Sequence, residues 1–272
     1  MRRKKIRKII WEVIFILISL VYIIPVWMVF INSLKTRQEA KKFGLGLPQV
    51  FQFSNYAVVF REGGVLRALF NGLLVAGVSS LLIILVTSMA AFYISRSRRK
   101  LARFGYYYLL SGIFIPIAMI ATYMVLFVLH LTNTYLGLIL MFTTYCLPFS
   151  IFLYNGFIKM IPRELDEVAV IDGSTPLRLF FQVIFPLLKP ATMTVLVINF
   201  LNIWNNVETQ LFFASSTKWS MPMTLYRFYG VYMSDWHLVF ADVIITTLPV
   251  LLLYIFAQRN LIDGLVMGAV KG

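Results

Sequence analysis

The sequence predicts an all-α membrane protein of six transmembrane helices with both termini in the cytoplasm. Three observations predict it. The 272 residues are 60% hydrophobic and only 13% charged, with a mean hydropathy of +0.83, whereas a soluble domain carries about a quarter charged residues. The apolar residues fall in long runs, and a helix needs about 20 of them to cross a bilayer core. Runs such as LLVAGVSSLLIILVTSMAAF lack the apolar–polar alternation of a transmembrane barrel strand.

The six expected spans are residues 13–31, 68–94, 105–130, 135–157, 187–213 and 238–256. The first follows a basic head, as a signal peptide would. Its apolar stretch runs too long, however, and no small-residue cleavage site follows, so it reads as an uncleaved helix. Lys and Arg gather on the cytoplasmic side of spanning helices. They fill the tail at residues 1–12 (Arg2, Arg3, Lys4, Lys5, Arg7, Lys8) and the second connection (Arg96, Arg98, Arg99, Lys100, Arg103). The fourth connection has Lys159, Arg163, Arg178 and Lys189, and the tail at 258–272 has Arg259 and Lys271. Most of the 25 basic residues thus share one side. The first connection, with Lys35, Arg37, Lys41, Lys42, Arg61 and Arg67, opposes the trend. The net charge of +14 is not read as nucleic-acid binding: the bases flank spans, where they meet anionic headgroups. The lone cysteine, Cys146, excludes an internal disulfide and a Cys-based metal site, and reads as a small packing residue.

The fourth connection, residues 159–190, has its own organisation. Pro162 suits a first helical turn, and Glu164, Asp166 and Glu167 suit the positive end of a helix dipole. Gly173 ends that helix, because glycine tolerates the left-handed exit. Thr175-Pro176 starts a second helix whose stripe is Leu177, Phe180, Phe181, Ile184 and Phe185, with Pro186 and Pro190 ending it. The first helix is expected to offer Val168 and Ala169 to a close partner. Its acids (Glu164, Asp166, Glu167, Asp172) balance the bases of the same segment, which favours a protein partner over anionic lipid. From composition alone, a docking elbow and a solvated loop fit equally well.

At this segment the chain resembles the binding-protein-dependent ABC importer permeases. Their cytoplasmic signature is E-A-A, three residues, G, nine residues, then I-x-L-P. Here Glu167-Val168-Ala169 precedes Gly173 and then Val183-Ile184-Phe185-Pro186 at the same spacing. The resemblance narrows towards the carbohydrate-uptake branch and its MalG-like subunit through several stretches. These are Asn32-Ser33-Leu34-Lys35-Thr36, Asn133-Thr134-Tyr135-Leu136-Gly137-Leu138, Ile161-Pro162-Arg163-Glu164-Leu165 and Asp172-Gly173. Gln258-Arg259, Gly264-Leu265 and Gly268-Ala269-Val270-Lys271-Gly272 belong to the same set. Asn206 departs from it, standing where relatives usually have an acidic or aromatic residue.

The resemblance implies the type I permease fold, with a six-helix permease domain at 13–257, in a bacterial or archaeal cytoplasmic membrane. It implies a second homologous permease subunit, two cytoplasmic ATPase subunits and an external solute-binding protein. ATP and Mg would be held on the ATPase subunits, with no cofactor in this chain. Glu164, Asp166, Glu167, Val168, Ala169, Asp172, Gly173 and Pro186 would couple to the ATPase, and Gly268 and Lys271 in the tail would reach it. The cargo implied is a sugar or oligosaccharide, with glycerol phosphates and sugar acids as the alternative.

No G-x-x-x-x-G-K-[ST] phosphate loop occurs in the sequence, so ATP would act from another chain. An ion-coupled secondary transporter needs acids at mid-membrane, yet Glu12, Glu208 and Asp242 sit near span ends. A membrane enzyme lacks the clustered carboxylates or histidine pairs it would need. Asn199, Asn202 and Asn206 are spaced three and four apart and are expected to share one face. Amides in hydrocarbon either line a wet path or bond across helices, and the second reading is the more common. Phe200, Trp204, Phe212 and Phe213 offer stacking faces for a sugar but are more often packing residues. Asp242 is a functional candidate or a partner for a base such as Arg227. The aromatic fifth connection (Trp219, Tyr226, Phe228, Tyr229, Tyr232, Trp236) fits interfacial anchoring as well as ligand contact.

Overall fold

The computed structural model describes the backbone of residues 2–230 and 234–269, and the side chains of Lys8 and of residues 11–230 and 234–258. Helices account for the ordered elements, and no strand forms among the described residues. In chain order they are α1 (Arg2–Ser33), α2 (Arg37–Ala40), α3 (Ser54–Glu62), α4 (Val65–Arg96), α5 (Lys100–Ser111), α6 (Met119–Val128) and α7 (Tyr135–Met160). There follow α8 (Glu164–Ile171), α9 (Pro176–Arg178), a π-helical stretch (Leu179–Ile184), α10 (Phe185–Leu187), α11 (Lys189–Trp204) and α12 (Val207–Phe213). A 3₁₀ helix (Met221–Arg227) and α13 (Trp236–Ala269) complete the chain.

Four helices among the described residues are long and apolar enough to cross a membrane: Trp11–Ser33 within α1, α4, α7 and Trp236–Gln258 within α13. The bent pair Pro176–Leu187 and Lys189–Trp204, meeting at 77°, makes a fifth when counted as one. Six uninterrupted spans are therefore not what forms. The expected third span, 105–130, is two helices. At about 1.5 Å per residue, α5 and α6 reach only about 18 and 15 Å, against a hydrocarbon core of about 30 Å. The break falls at residues 112–118, where Gly112 caps α5 and Pro116 cannot donate a helical hydrogen bond. The expected fifth span, 187–213, breaks as well. Asn205 caps α11, and the Asn206 side chain accepts the Thr209 N–H at 2.9 Å to start α12.

The chain divides into two compact units. One combines Met1–Leu66 with Met221–Leu248, the other Arg67–Ser220 with Pro249–Gly272. In the first, the connection after α1 folds tightly. The Asn55 amide donates to the Ser33 and Lys35 carbonyls at 2.8 and 3.0 Å. Buried Lys35 donates to Asn32 Oδ1 at 3.2 Å and to the Gly44 carbonyl at 2.7 Å. Phe43 packs edge-on against Trp236 and Phe240. Tyr229 and Trp236 lie 5.2 Å apart, and Phe228 is buried, so this part of the aromatic fifth connection serves packing. Tyr232 lies outside the described residues. Asp242 is fully buried and accepts from the Thr224 hydroxyl at 2.7 and 3.0 Å. It does not pair with Arg227, which donates to the Glu62 carbonyl instead. By contrast, the apolar stretch of α1 is only 6% buried.

The second unit carries the helical core around α4, α7 and α11. Ile83, Ile139, Phe142, Ile151, Val195 and Ile203 are all buried there. Polar side chains stitch the helices in pairs. The Ser79 hydroxyl donates to the Ile139 carbonyl at 3.4 Å, and the Tyr154 hydroxyl to Thr192 Oγ1 at 3.0 Å. At the other end of α4, Asn71 donates to the Thr217 and Trp219 carbonyls and accepts from the Tyr135 hydroxyl. Cys146 is buried and free, as a packing residue would be.

Candidate coupling site

The segment between α7 and α11 folds as two helical pieces joined at a glycine. After Ile161-Pro162, α8 runs for two turns with Glu164, Asp166 and Glu167 in its first turn, where the helix dipole favours negative charge. Gly173 has φ +77°, the left-handed geometry that a side chain resists. The Ser174 N–H reaches back to the Ala169 carbonyl at 2.9 Å, closing the exit as a Schellman-type turn. Thr175 then accepts the Arg178 N–H at 3.3 Å, and Pro176 begins α9, both as the local sequence requires.

Positions i, i+3, i+4 and i+7 share a helix face, and on α8 these are Glu164, Glu167, Val168 and Ile171. All four are exposed, Val168 by 57% and Ile171 by 84%. The opposite face carries Asp166 and Ala169, three apart. Ala169 is buried, so of the expected close-approach pair only Val168 is turned outward. Asp166 is held by Arg96 at the end of α4: Nε lies 2.6 Å from Oδ2, and Nη2 lies 3.2 Å from Oδ1. Arg96 and Asp166 are thus not free surface charges. Asp172 is exposed at the end of α8.

The second piece departs from the expected simple stripe. Its central turn is π-helical from Leu179 to Ile184. A wider turn displaces the register, so Leu179, Phe180 and Ile184 are buried while Leu177 and Phe181 remain exposed. Pro186 does not end this piece. It stands in the first turn of α10, where a missing N–H costs nothing, and the chain bends only after Leu188. Pro190 likewise starts α11 instead of ending what precedes it. Of Gly268 only the helical backbone is described, and Lys271 lies outside the described residues.

The three asparagines proposed for a path do not share a face, because α11 ends at Trp204, between them. Asn199 is buried and donates to Ser150 Oγ on α7 at 2.9 Å and to the Val195 carbonyl at 2.8 Å. Asn202 is exposed on α11, and Asn206 is the half-buried cap of α12. Asn199 is therefore interhelical glue, and Asn202 alone presents a free amide. Phe200 and Trp204 are buried and stacked on each other at 5.5 Å; Phe213 is buried too, and Phe212 is exposed.

Arg96 and Arg163 have bracing roles that their places among the flanking basic residues do not disclose. One arginine closes a span, and the other immediately precedes the acidic turn it braces.

The pattern of the binding-protein-dependent transport system inner membrane component matches residues 83–265. The chain belongs to that family. This permease is 31% identical to the probable starch degradation products transport system permease AmyC of Thermoanaerobacterium thermosulfurigenes, over all of both chains. It is 32% identical to the melibiose/raffinose/stachyose import permease MelC of Bacillus subtilis, over 94% of each chain. The multiple sugar-binding transport system permease MsmG of Streptococcus mutans is 32% identical over 96% of each. In fold, the permease superposes with a TM-score of 0.81 on a chain of a bacterial ABC transporter involved in import of the acidic polysaccharide alginate. The likeness spans 95% of this chain and 98% of that one, at 19% identity. The permease is a multi-pass protein of the cytoplasmic membrane, and works with ATPase and binding-protein partners.

Proposed function

We propose that this permease imports a sugar or oligosaccharide, paired with a second homologous permease and served by an external solute-binding protein. Two ATPase subunits hold ATP and Mg and supply the energy, with no nucleotide site in this chain. Its six hydrophobic segments span the bilayer with both termini inside, the broken third segment included. Full-length similarity to permeases named for starch products and for raffinose-type sugars supports the cargo class.

One observation carries the coupling role: the outward face of α8 formed by Glu164, Glu167, Val168 and Ile171. It presents acids around an apolar centre, on a short helix braced behind and closed by Gly173. Seated in a cleft on the ATPase subunit, α8 moves as a rigid body when ATP closes the motor, and the spans rock between inward and outward access. The solute-free outward state is disfavoured, so that ATP is not consumed without cargo.

Reconstituted complex tests this with raffinose and maltotriose as probes and with co-purification of the partner chains. Gly173→Asp forces a side chain into left-handed geometry, and Glu167→Lys reverses charge on the docking face. Both variants are expected to insert and yet lose ATP-driven uptake at least tenfold. Wild-type uptake by both would remove the docking role.

A further inference from the structure

The start of α8 is fastened to the end of α4 by a bracket that docking alone does not require. Arg96, the last residue of α4, donates from Nη2 to Asp166 Oδ1 at 3.2 Å, and its Nε lies in ion-pair contact with Oδ2 at 2.6 Å without the alignment of a second hydrogen bond. The same guanidinium donates to the Ile161 carbonyl at 3.1 Å, the residue that closes α7. From the other side, Arg163 donates to the Ser95 carbonyl at 3.3 Å, one of the carbonyls that the end of α4 leaves without a helical partner. The two arginines therefore cross in opposite directions between segments 65 to 70 residues apart in sequence.

The pair is also sheltered. The Arg96 and Asp166 side chains are 15% and 16% exposed, so solvent screens them less than an ordinary surface pair. Among the basic residues between 96 and 103, only Arg96 turns inward. Beside the bracket, Phe92 of α4 packs on Phe180 of the second elbow piece at 5.5 Å. Both halves of the elbow thus bear on the last turns of α4.

From this geometry we infer that Arg96 is a positioning residue for coupling. It ties α8 to α4, so that a displacement of α8 drags the 32-residue helix Val65–Arg96 with it. The inference rests on the docking role proposed above. Chain linkage alone joins α8 to α7 through Ile161 and to α11 through the Gly173 elbow. The bracket adds α4 as a third attachment, and makes closure of the motor conditional on moving it. Without the bracket the motor closes without that load.

The test measures Mg-ATP hydrolysis by the whole complex in lipid nanodiscs, without binding protein or solute. Arg96→Gln is expected to raise this idle hydrolysis several-fold. The reversed pair Arg96→Asp with Asp166→Arg is expected to return it to near the wild-type rate, and Arg96→Lys, which keeps charge but loses the fork, to fall between. A purely structural role would lower the yield of assembled complex and its hydrolysis together, and would not raise the rate per complex. Unchanged or reduced hydrolysis in Arg96→Gln, or a reversed pair no better than the single variant, overturns the inference. Photocrosslinking from Val168→Cys labelled with a benzophenone maleimide, which needs no second thiol, separates the two claims. A crosslink to the ATPase chain with unchanged idle hydrolysis removes the bracket and keeps docking, whereas no crosslink to that chain removes docking itself.

Discussion

Asn199 and Asn202 are the same residue type one turn apart, and the structure gives them opposite environments. The amide of Asn199 is consumed by Ser150 Oγ and the Val195 carbonyl. Interhelical hydrogen bonds between membrane helices are worth about 0.6 to 2 kcal/mol. Asn199→Leu is therefore expected to cost about 1 kcal/mol, within that range; Ser150 keeps its bond to the Cys146 carbonyl at 2.9 Å. Asn202→Leu, at an exposed position, is expected to change stability by less than about 0.5 kcal/mol. Thermal unfolding of the purified complex in detergent measures both, and a larger loss at Asn202 than at Asn199 would contradict this division. Raffinose and maltotriose uptake by Asn202→Leu then reads whether the free amide touches cargo. The sequence made interhelical bonding legible as a class, because amides in hydrocarbon must be satisfied. It could not say which asparagine is satisfied, since that depends on where α11 stops and on a serine 49 positions earlier.

At the scale of elements, the connection between α1 and α3 contains the segment GLGLP at residues 44–48, which suits no regular element, yet it is held by a small built unit. Thr36 caps α2, and its N–H and hydroxyl meet Glu39 Oε2 at 3.3 and 3.0 Å. This is the reciprocal arrangement of a capping box. Glu39 Oε1 also accepts the Gln49 N–H at 3.1 Å. That backbone bond, with the Thr36 bonds and the Lys35 charge assisting, holds the Glu39 pKa below its usual 4.5 against the opposing effect of burial. Burial in turn lowers the Lys35 pKa, an effect that Glu39 partly offsets. A carboxyl with a depressed folded pKa stabilises the fold above its unfolded value, and that contribution is lost as pH falls through the folded one. Protection of the Gln49 amide, measured by hydrogen exchange and corrected for intrinsic rate, is expected to be full at neutral pH and to fall below about pH 4.5. Glu39→Ala, which removes the acceptor, is expected to lose it already at neutral pH; protection independent of pH in the wild type would sink this account. The coupling elbow, by contrast, was legible in detail, because its determinants are local: a cap, a first-turn proline, a first-turn acidic cluster and a left-handed glycine. What local chemistry did not disclose was the π-helical turn and the inward face of Asp166, both set by packing against α4.

For the whole molecule, hydropathy located the apolar segments but not their continuity. Pro116 and the capping side chain of Asn206 interrupt two of them, and hydropathy averages across such breaks. The charge asymmetry makes a sharper claim, that the two ends of α11 face opposite sides of the membrane. Ser216, beyond α12, belongs to the expected outer connection, and Asp172, before α9, to the inner one. Both are exposed, so each accepts a cysteine without disturbing a core. The native Cys146 is buried, which keeps the background of thiol labelling low. With a membrane-impermeant maleimide on intact cells, or spheroplasts where an outer envelope intervenes, Ser216→Cys is expected to label at once and Asp172→Cys only after permeabilisation. The 16 residues of α11 rise about 24 Å and the 7 of α12 about 10 Å, so a passage through a hydrocarbon core of about 30 Å draws on both helices, and the labelling pattern decides between a crossing and a re-entrant turn. Equal labelling from outside would place the elbow on the wrong side to meet an ATPase, whatever the family likeness of its sequence.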